Sequence, residues 1–115
     1  MSDQTPESAL DRQLALSRVG GDHELLSEIA ILFLEECPRA VAQIQQAIEQ
    51  GDARRLESAA HALKGSVANF GARAAVEAAF RLEQMGRSGE MGEAQETFRA
   101  LQIALAAVSA ELATL

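Results

Sequence analysis

The sequence has no Trp, no Tyr and a single Cys, and each shortage removes a class of function. Without Trp or Tyr, two common platforms for stacking on bases, sugars or flat cofactors are missing. Neither common glycine-rich phosphate loop occurs, so nucleotide binding has no visible site. Cys37 alone can form no internal disulfide and cannot supply a four-thiolate zinc site. Only two Pro occur, which leaves little that reads as disordered linker. Positive charge is also short: Lys and Arg number 10 against 17 Asp and Glu, a net charge of -7. Nucleic acid and an anionic membrane would both repel such a chain. No run approaches the roughly 18 consecutive apolar residues of a membrane span. The opening Met1-Ser2-Asp3-Gln4 lacks the basic and apolar regions of a signal peptide. A cytoplasmic protein is therefore expected, with neither nucleic acid nor membrane as partner.

Apolar residues are plentiful, at 48% of 115, enough for one hydrophobic core and one domain over residues 1–115. Ala, Leu, Glu, Gln and Arg abound while β-branched residues are sparse, and the apolar positions recur with the helical period. A short first helix is predicted over Pro6 to Arg18, with Thr5 as its cap and Gly20-Gly21 ending it. Asp22 caps a long second helix to about Gln50, with Leu25, Leu26, Ile29, Leu32, Phe33, Val41, Ile44 and Ile48 as its apolar stripe and a kink at Pro38. Gly51-Asp52 separates a third helix, running to about Phe70. A fourth spans about Ala72 to Met85. Gly86-Arg87-Ser88-Gly89 reads as a connector. The last helix carries Ala94, Phe98, Leu101, Leu105, Val108, Leu112 and Leu115 at alternating spacings of four and three. These stripes must bury one another, which predicts an all-α fold: an antiparallel four-helix bundle with an additional short N-terminal helix. Since the bundle can bury its own stripes, a monomer is expected.

The third helix is the informative one. At about 100° per residue, Leu56, Ala59, Ala60, Leu63, Val67 and Phe70 fall in a sector roughly 100° wide, the width of a core-facing stripe. His61 lies about 155° from the middle of that sector and so points into solvent. Its neighbours one turn away are Glu57, Lys64 and Gly65, with Ala68 beyond. A glycine inside an exposed helix costs on the order of 1 kcal/mol relative to Ala. Clearance accounts for it: with no side chain at Gly65 and small ones at Ser58, Ala62 and Ala68, another protein's active site can descend on the imidazole. Lys64 is the only lysine, the other nine basic residues being Arg. Its compact ammonium suits a phosphoryl oxygen whose charge persists throughout transfer.

The run His61-Ala62-Leu63-Lys64-Gly65-Ser66 resembles the signature of histidine-containing phosphotransfer (HPt) domains of bacterial phosphorelays. Arg18-Val19-Gly20-Gly21-Asp22 with Leu25-Leu26 and Phe33-Leu34-Glu35 is similar to the family's entry into its second helix, which ends near a Pro such as Pro38. Phe70-Gly71-Ala72 and Leu82-Glu83 are similar to its next turn and helix. The resemblance spans about residues 10 to 113. It implies a phosphocarrier without autonomous catalysis, in which His61 takes a phosphoryl group from a receiver-domain phospho-aspartate and passes it to another receiver. Lys64, Gly65, Ser66, Glu57 and Ala68 would form the supporting, partner-facing surface. Glu57 could orient the ring or pair with Arg54 or Lys64, and pairing is the expectation. The implied partners are response-regulator receiver domains and, as a further donor, a hybrid sensor kinase. No cofactor is expected on this chain, with Mg²⁺ brought by the receiver. A solvated imidazole is mostly neutral near pH 7 and needs no activating base.

Several other residues admit simpler readings. His23, in the first turn after Asp22, has no accompanying glycine or lysine and reads as surface filler. A metal site joining the two histidines lacks the spacing of a ligand pair. Cys37, Met85 and Met91 read as core filling, and Glu35-Glu36 as a solvated face. A sensor kinase's dimerisation and phosphoacceptor domain usually has an acidic residue directly after its His, where Ala62 stands here. A helical protein-interaction module that is never phosphorylated is the alternative, and labelling separates the two. Met1 and the short polar lead-in favour a free-standing chain.

Overall fold

In a computed structural model the described residues are 8–115, and they form five helices: α1 Arg12–Arg18, α2 His23–Gln50, α3 Ala53–Ala68, α4 Arg73–Ser88 and α5 Ala94–Leu112. No strand occurs among the described residues. Three aspartates start helices by the same chemistry. Asp11, Asp22 and Asp52 each accept the backbone N–H three residues on, from Leu14, Leu25 and Arg55, at 3.0–3.1 Å. Each bond satisfies a donor that has no partner within its own helix.

Helix α2 packs on α3 and α5, and α4 packs on the same two, so the four long helices close a ring, with α1 resting on α2. Short connectors make successive members antiparallel. The ring encloses Ile44, Leu56, Val67, Phe70, Leu82, Phe98, Leu101 and Val108, all essentially removed from solvent. Burying each large apolar side chain contributes about 1.5–3 kcal/mol. Phe33 and Phe70 meet edge to face with centroids 5.5 Å apart.

Three details differ from the sequence reading. The first helix begins at Arg12 under an Asp11 cap, not at Pro6. Residues 8–10 are not helical, because Ser8 Oγ and the Ala9 amide donate to the Glu111 carboxylate at the end of α5. Thr5 and Pro6 lie outside the described residues. The buried stripe of α2 is narrower than the sequence predicts. Its buried line runs through Leu26, Ala30, Phe33, Cys37, Ile44 and Ala47, while Leu25 and Leu32 are 40% and 56% exposed. Small side chains at Ala30, Cys37 and Ala47 let neighbouring helices approach that line and turn the bulkier leucines to its edge. Pro38 lies inside α2, which is one helix on both sides of it.

The third difference matters most for the site. Gly86, Arg87 and Ser88 belong to α4, which ends only at Gly89. Gly86 is buried. A Cβ there would lie 2.5 Å from the Glu57 backbone nitrogen and 2.6 Å from the Ala53 carbonyl oxygen. It is a contact glycine between α3 and α4, not a turn residue. Gly71 serves a different need: it turns the chain from α3 to α4 at φ +63°, and a Cβ on it would meet the Asp11 Cβ at 2.6 Å. The segment before α1 docks on that turn, with the Asp11 amide donating to the Phe70 carbonyl at 2.9 Å.

Candidate functional site

His61 projects from the outward face of α3 with 68% of its side chain exposed. The core-facing residues of that helix, Leu56, Ala60, Leu63 and Val67, are buried as the wheel requires. The next helix supplies what the sequence reading lacked. Glu83 on α4 is 3% exposed, and its Oε2 lies 2.9 Å from His61 Nδ1. A buried carboxylate is costly unless charge and hydrogen bonds compensate it, and here three groups do so. Besides the imidazole, Lys64 Nζ stands 2.7 Å from Oε1 and Arg87 Nη2 lies 3.2 Å from Oε2. The Lys64 contact is an ion pair.

Lys64 does most to hold the Glu83 carboxyl below its ordinary pKa of 4.5; burial acts in the opposite direction, and the His61 ring adds to the lowering. The group is therefore a carboxylate near neutral pH, and a carboxylate can only accept hydrogen bonds. Nδ1 of His61 must carry the proton it donates. In a neutral ring this leaves the Nε2 lone pair free, on the exposed side chain. The contact thus selects a tautomer and a ring orientation together.

The expected supporting residues fall into three groups. Lys64 is beside the site but is not a free point charge: it is 26% exposed, paired with Glu83 and seated 4.9 Å over the Phe80 ring. Gly65 is exposed, and a Cβ on it would meet nothing within 4 Å. No packing among the described residues demands that glycine. Glu57 pairs with Arg87 Nε at 3.0 Å, instead of with Arg54 or Lys64, because α4 brings the guanidinium across the seam. Its carboxylate in turn holds the Arg87 pKa above the usual guanidinium range. The Ser66 hydroxyl donates to the Ala62 carbonyl in its own helix at 3.3 Å. Ala68 is half-buried, less open than its wheel position implies.

Glu57, Ser58, His61, Glu83 and Arg87 line a shallow depression beside the imidazole. On the other flank, Ala62 and Ser66 border a groove between α2 and α3 that reaches Phe33 and Cys37. Burial raises the Cys37 thiol pKa, which disfavours its nucleophilic thiolate form. Among the described residues no three His, Cys, Asp or Glu side chains converge as a metal site. The two carboxylates near His61 already face cations. His23 is exposed and makes no side-chain hydrogen bond or ion pair among the described residues.

Glu83 is the functional residue that sequence reasoning missed. Its signal was a lone acid within a stripe otherwise made of Ala75, Ala78, Ala79, Leu82 and Gly86. A charge on the buried side of a helix requires a partner, and the partners stand on a different helix.

Comparison with known proteins bears on family and fold. The family model of the Hpt domain matches residues 28–111. The crystal structure of histidine-containing phosphotransfer protein B from Pseudomonas aeruginosa PAO1 is similar in fold, with a TM-score of 0.86, 23% sequence identity and 92% of each chain covered. No curated protein sequence matches the chain.

Proposed function

The chain belongs to the Hpt domain family and has a histidine phosphotransfer role in a phosphorelay; from that premise we propose that His61 is the phosphoacceptor and that Nε2 is its reacting atom. The supporting observation is the 2.9 Å contact between His61 Nδ1 and the buried Glu83 carboxylate. It keeps the proton on the inner nitrogen and the lone pair on the outer one. In the forward step Nε2 attacks phosphorus on a receiver-domain phospho-aspartate. The N–P bond forms, the P–O bond breaks, and the aspartate leaves with the electron pair as a carboxylate. No proton has to leave Nε2. The positive charge that develops on the ring faces Glu83, which strengthens the hydrogen bond from Nδ1. The reverse step loads a second receiver.

Such transfer depends on positioning and electrostatics. This chain contributes nucleophile and platform, without autonomous catalysis, and the receiver contributes the Mg²⁺. Lys64 and Arg87 chiefly compensate Glu83, and the open helix surface at Gly65 admits the partner. Donor and acceptor are receiver domains, with a hybrid sensor kinase as a further source of the phosphoryl group. The chain acts as a cytoplasmic monomer; among the described residues no helix is long and apolar enough to cross a membrane.

The test is to incubate the chain with a phosphorylated receiver and assay acid-labile, base-stable phosphate. Uptake by the parent and none by His61→Gln is the expected result. Uptake that survives the substitution overturns the assignment. An absence of uptake from any receiver favours the alternative, a helical interaction module that is not phosphorylated.

A further inference from the structure

We propose that Gly86 is a positioning residue for phosphotransfer: by letting the α3 and α4 backbones touch one turn away from His61, it sets the distance at which Glu83 holds the imidazole. The inference rests on the reading of His61 as phosphoacceptor. Gly86 sits inside α4 and is buried, a place where glycine costs about 1 kcal/mol relative to Ala. Its conformation does not demand glycine, since φ is not positive there. Contact does. A Cβ would stand 2.5 Å from the Glu57 nitrogen, 2.6 Å from the Ala53 oxygen and 2.8 Å from the Glu57 Cα. All three are backbone atoms, which cannot swing aside as a flexible side chain can.

The register ties this contact to the chemistry. On α4, Glu83 lies one turn before Gly86 and Arg87 directly follows it; on α3, His61 lies one turn after Glu57. The backbone contact at 57 and 86 is therefore adjacent to two side-chain contacts, His61 with Glu83 and Glu57 with Arg87. Cβ contacts below 3.0 Å are essentially never seen, so an alanine must part the helices here by at least 0.5 Å. The Nδ1 to Oε2 distance is 2.9 Å. Adding that displacement carries it past the roughly 3.2 Å limit of a good N–H···O bond. Glu83, held among Lys64, Arg87 and buried neighbours, has little freedom to follow. The glycines inside α3 and α4 thus have opposite purposes. Gly65 clears space for a partner outside the chain, and Gly86 clears it for the neighbouring helix.

The experiment compares the parent with Gly86→Ala by ¹⁵N NMR of the His61 ring in the unphosphorylated chain, alongside circular dichroism and transfer from a phosphorylated receiver. Gly86→Ala is expected to stay helical, to shift the ring away from the Nδ1–H form, and to transfer about tenfold more slowly, the equivalent of one good hydrogen bond. Leu101→Ala, a cavity on α5 in the core, is the stability control. It should lower the melting temperature and leave the His61 tautomer unchanged. A Gly86→Ala ring signal identical to the parent overturns the proposal, as does an equal tautomer shift in Leu101→Ala. Should Gly86→Ala fail to fold, Glu83→Asp withdraws the carboxylate by one methylene and leaves the helix contact intact. It must then shift the tautomer, and an unshifted ring overturns the proposal. The tautomer is read without any phosphoryl transfer, so its outcome stands apart from whether His61 is the acceptor.

Discussion

Two histidines stand exposed on helices of this protein, His23 in the first turn of α2 and His61 in the middle of α3. Both are reachable, and what separates them is support. Behind His61 lies a buried carboxylate at 2.9 Å, itself faced by Lys64 and Arg87. His23 makes no side-chain hydrogen bond or ion pair among the described residues. Exposure gives a partner access to a ring. A fixed hydrogen bond on one nitrogen decides which lone pair that partner meets, and in which direction it points.

The sharpest way to break this contrast is to exchange the fates of the two rings. His61→Gln should abolish phosphoryl uptake from a receiver, whereas His23→Gln should leave its rate and extent as in the parent. Equal losses in both would erase the distinction.

Glu83→Gln probes the support itself. Removing the charge leaves Lys64 and Arg87 facing an amide, and chemical denaturation should show about 1–3 kcal/mol of lost stability. The pH dependence has a definite sign. The folded-state pKa of Glu83 lies below its ordinary 4.5, so its stabilising effect is complete above that value and is lost as pH falls through the lowered one. The parent should therefore lose more stability than Glu83→Gln between pH 5 and the acid limb, to the extent of this one group. Glu111 is lowered as well, by Ser8 and Ala9 foremost, and remains in both chains, so the difference between them isolates Glu83. Parallel acid limbs would show that the carboxylate gains nothing from its surroundings.

Gly65 sharpens the comparison from the partner's side. Because a Cβ there meets nothing within 4 Å, Gly65→Ala should stabilise the isolated chain by about 0.5–1 kcal/mol. Gly65→Gln should keep the helical content and slow transfer about tenfold by obstructing approach. Unimpaired transfer in the glutamine variant would remove clearance as the reason for this glycine. The smallest effect is expected at the exposed edge. Glu57→Gln breaks the pair with Arg87, and an exposed pair of this kind contributes little to stability. The change should shrink further in high salt, and a salt-independent loss would mark the pair as more deeply coupled to Glu83.

Much of this arrangement was legible in the sequence because it is local. The Asp22 cap, the turn at Gly51-Asp52 and the outward placement of His61 all follow from residues within a turn or two of one another. The parts that were not legible depend on which helix faces which. Gly86 looks like a turn residue until α3 is seen to lie against it. Leu25 and Leu32 read as core until the buried line is seen to run through Ala30 and Cys37. The partners of Glu57 and Lys64 were sought on their own helix, where spacing suggests pairs, while the structure draws them across the seam to Arg87 and Glu83. Glu83 itself lies 22 residues from His61, and no periodicity within α3 could point to it.

The most direct measurement is NMR of the ¹⁵N-labelled chain before and after loading by a phosphorylated receiver. A single phosphorus–nitrogen coupling at Nε2 of His61, with Nδ1 still protonated towards Glu83, is the predicted result. Phosphorus found on Nδ1, or on any other side chain, would contradict the account.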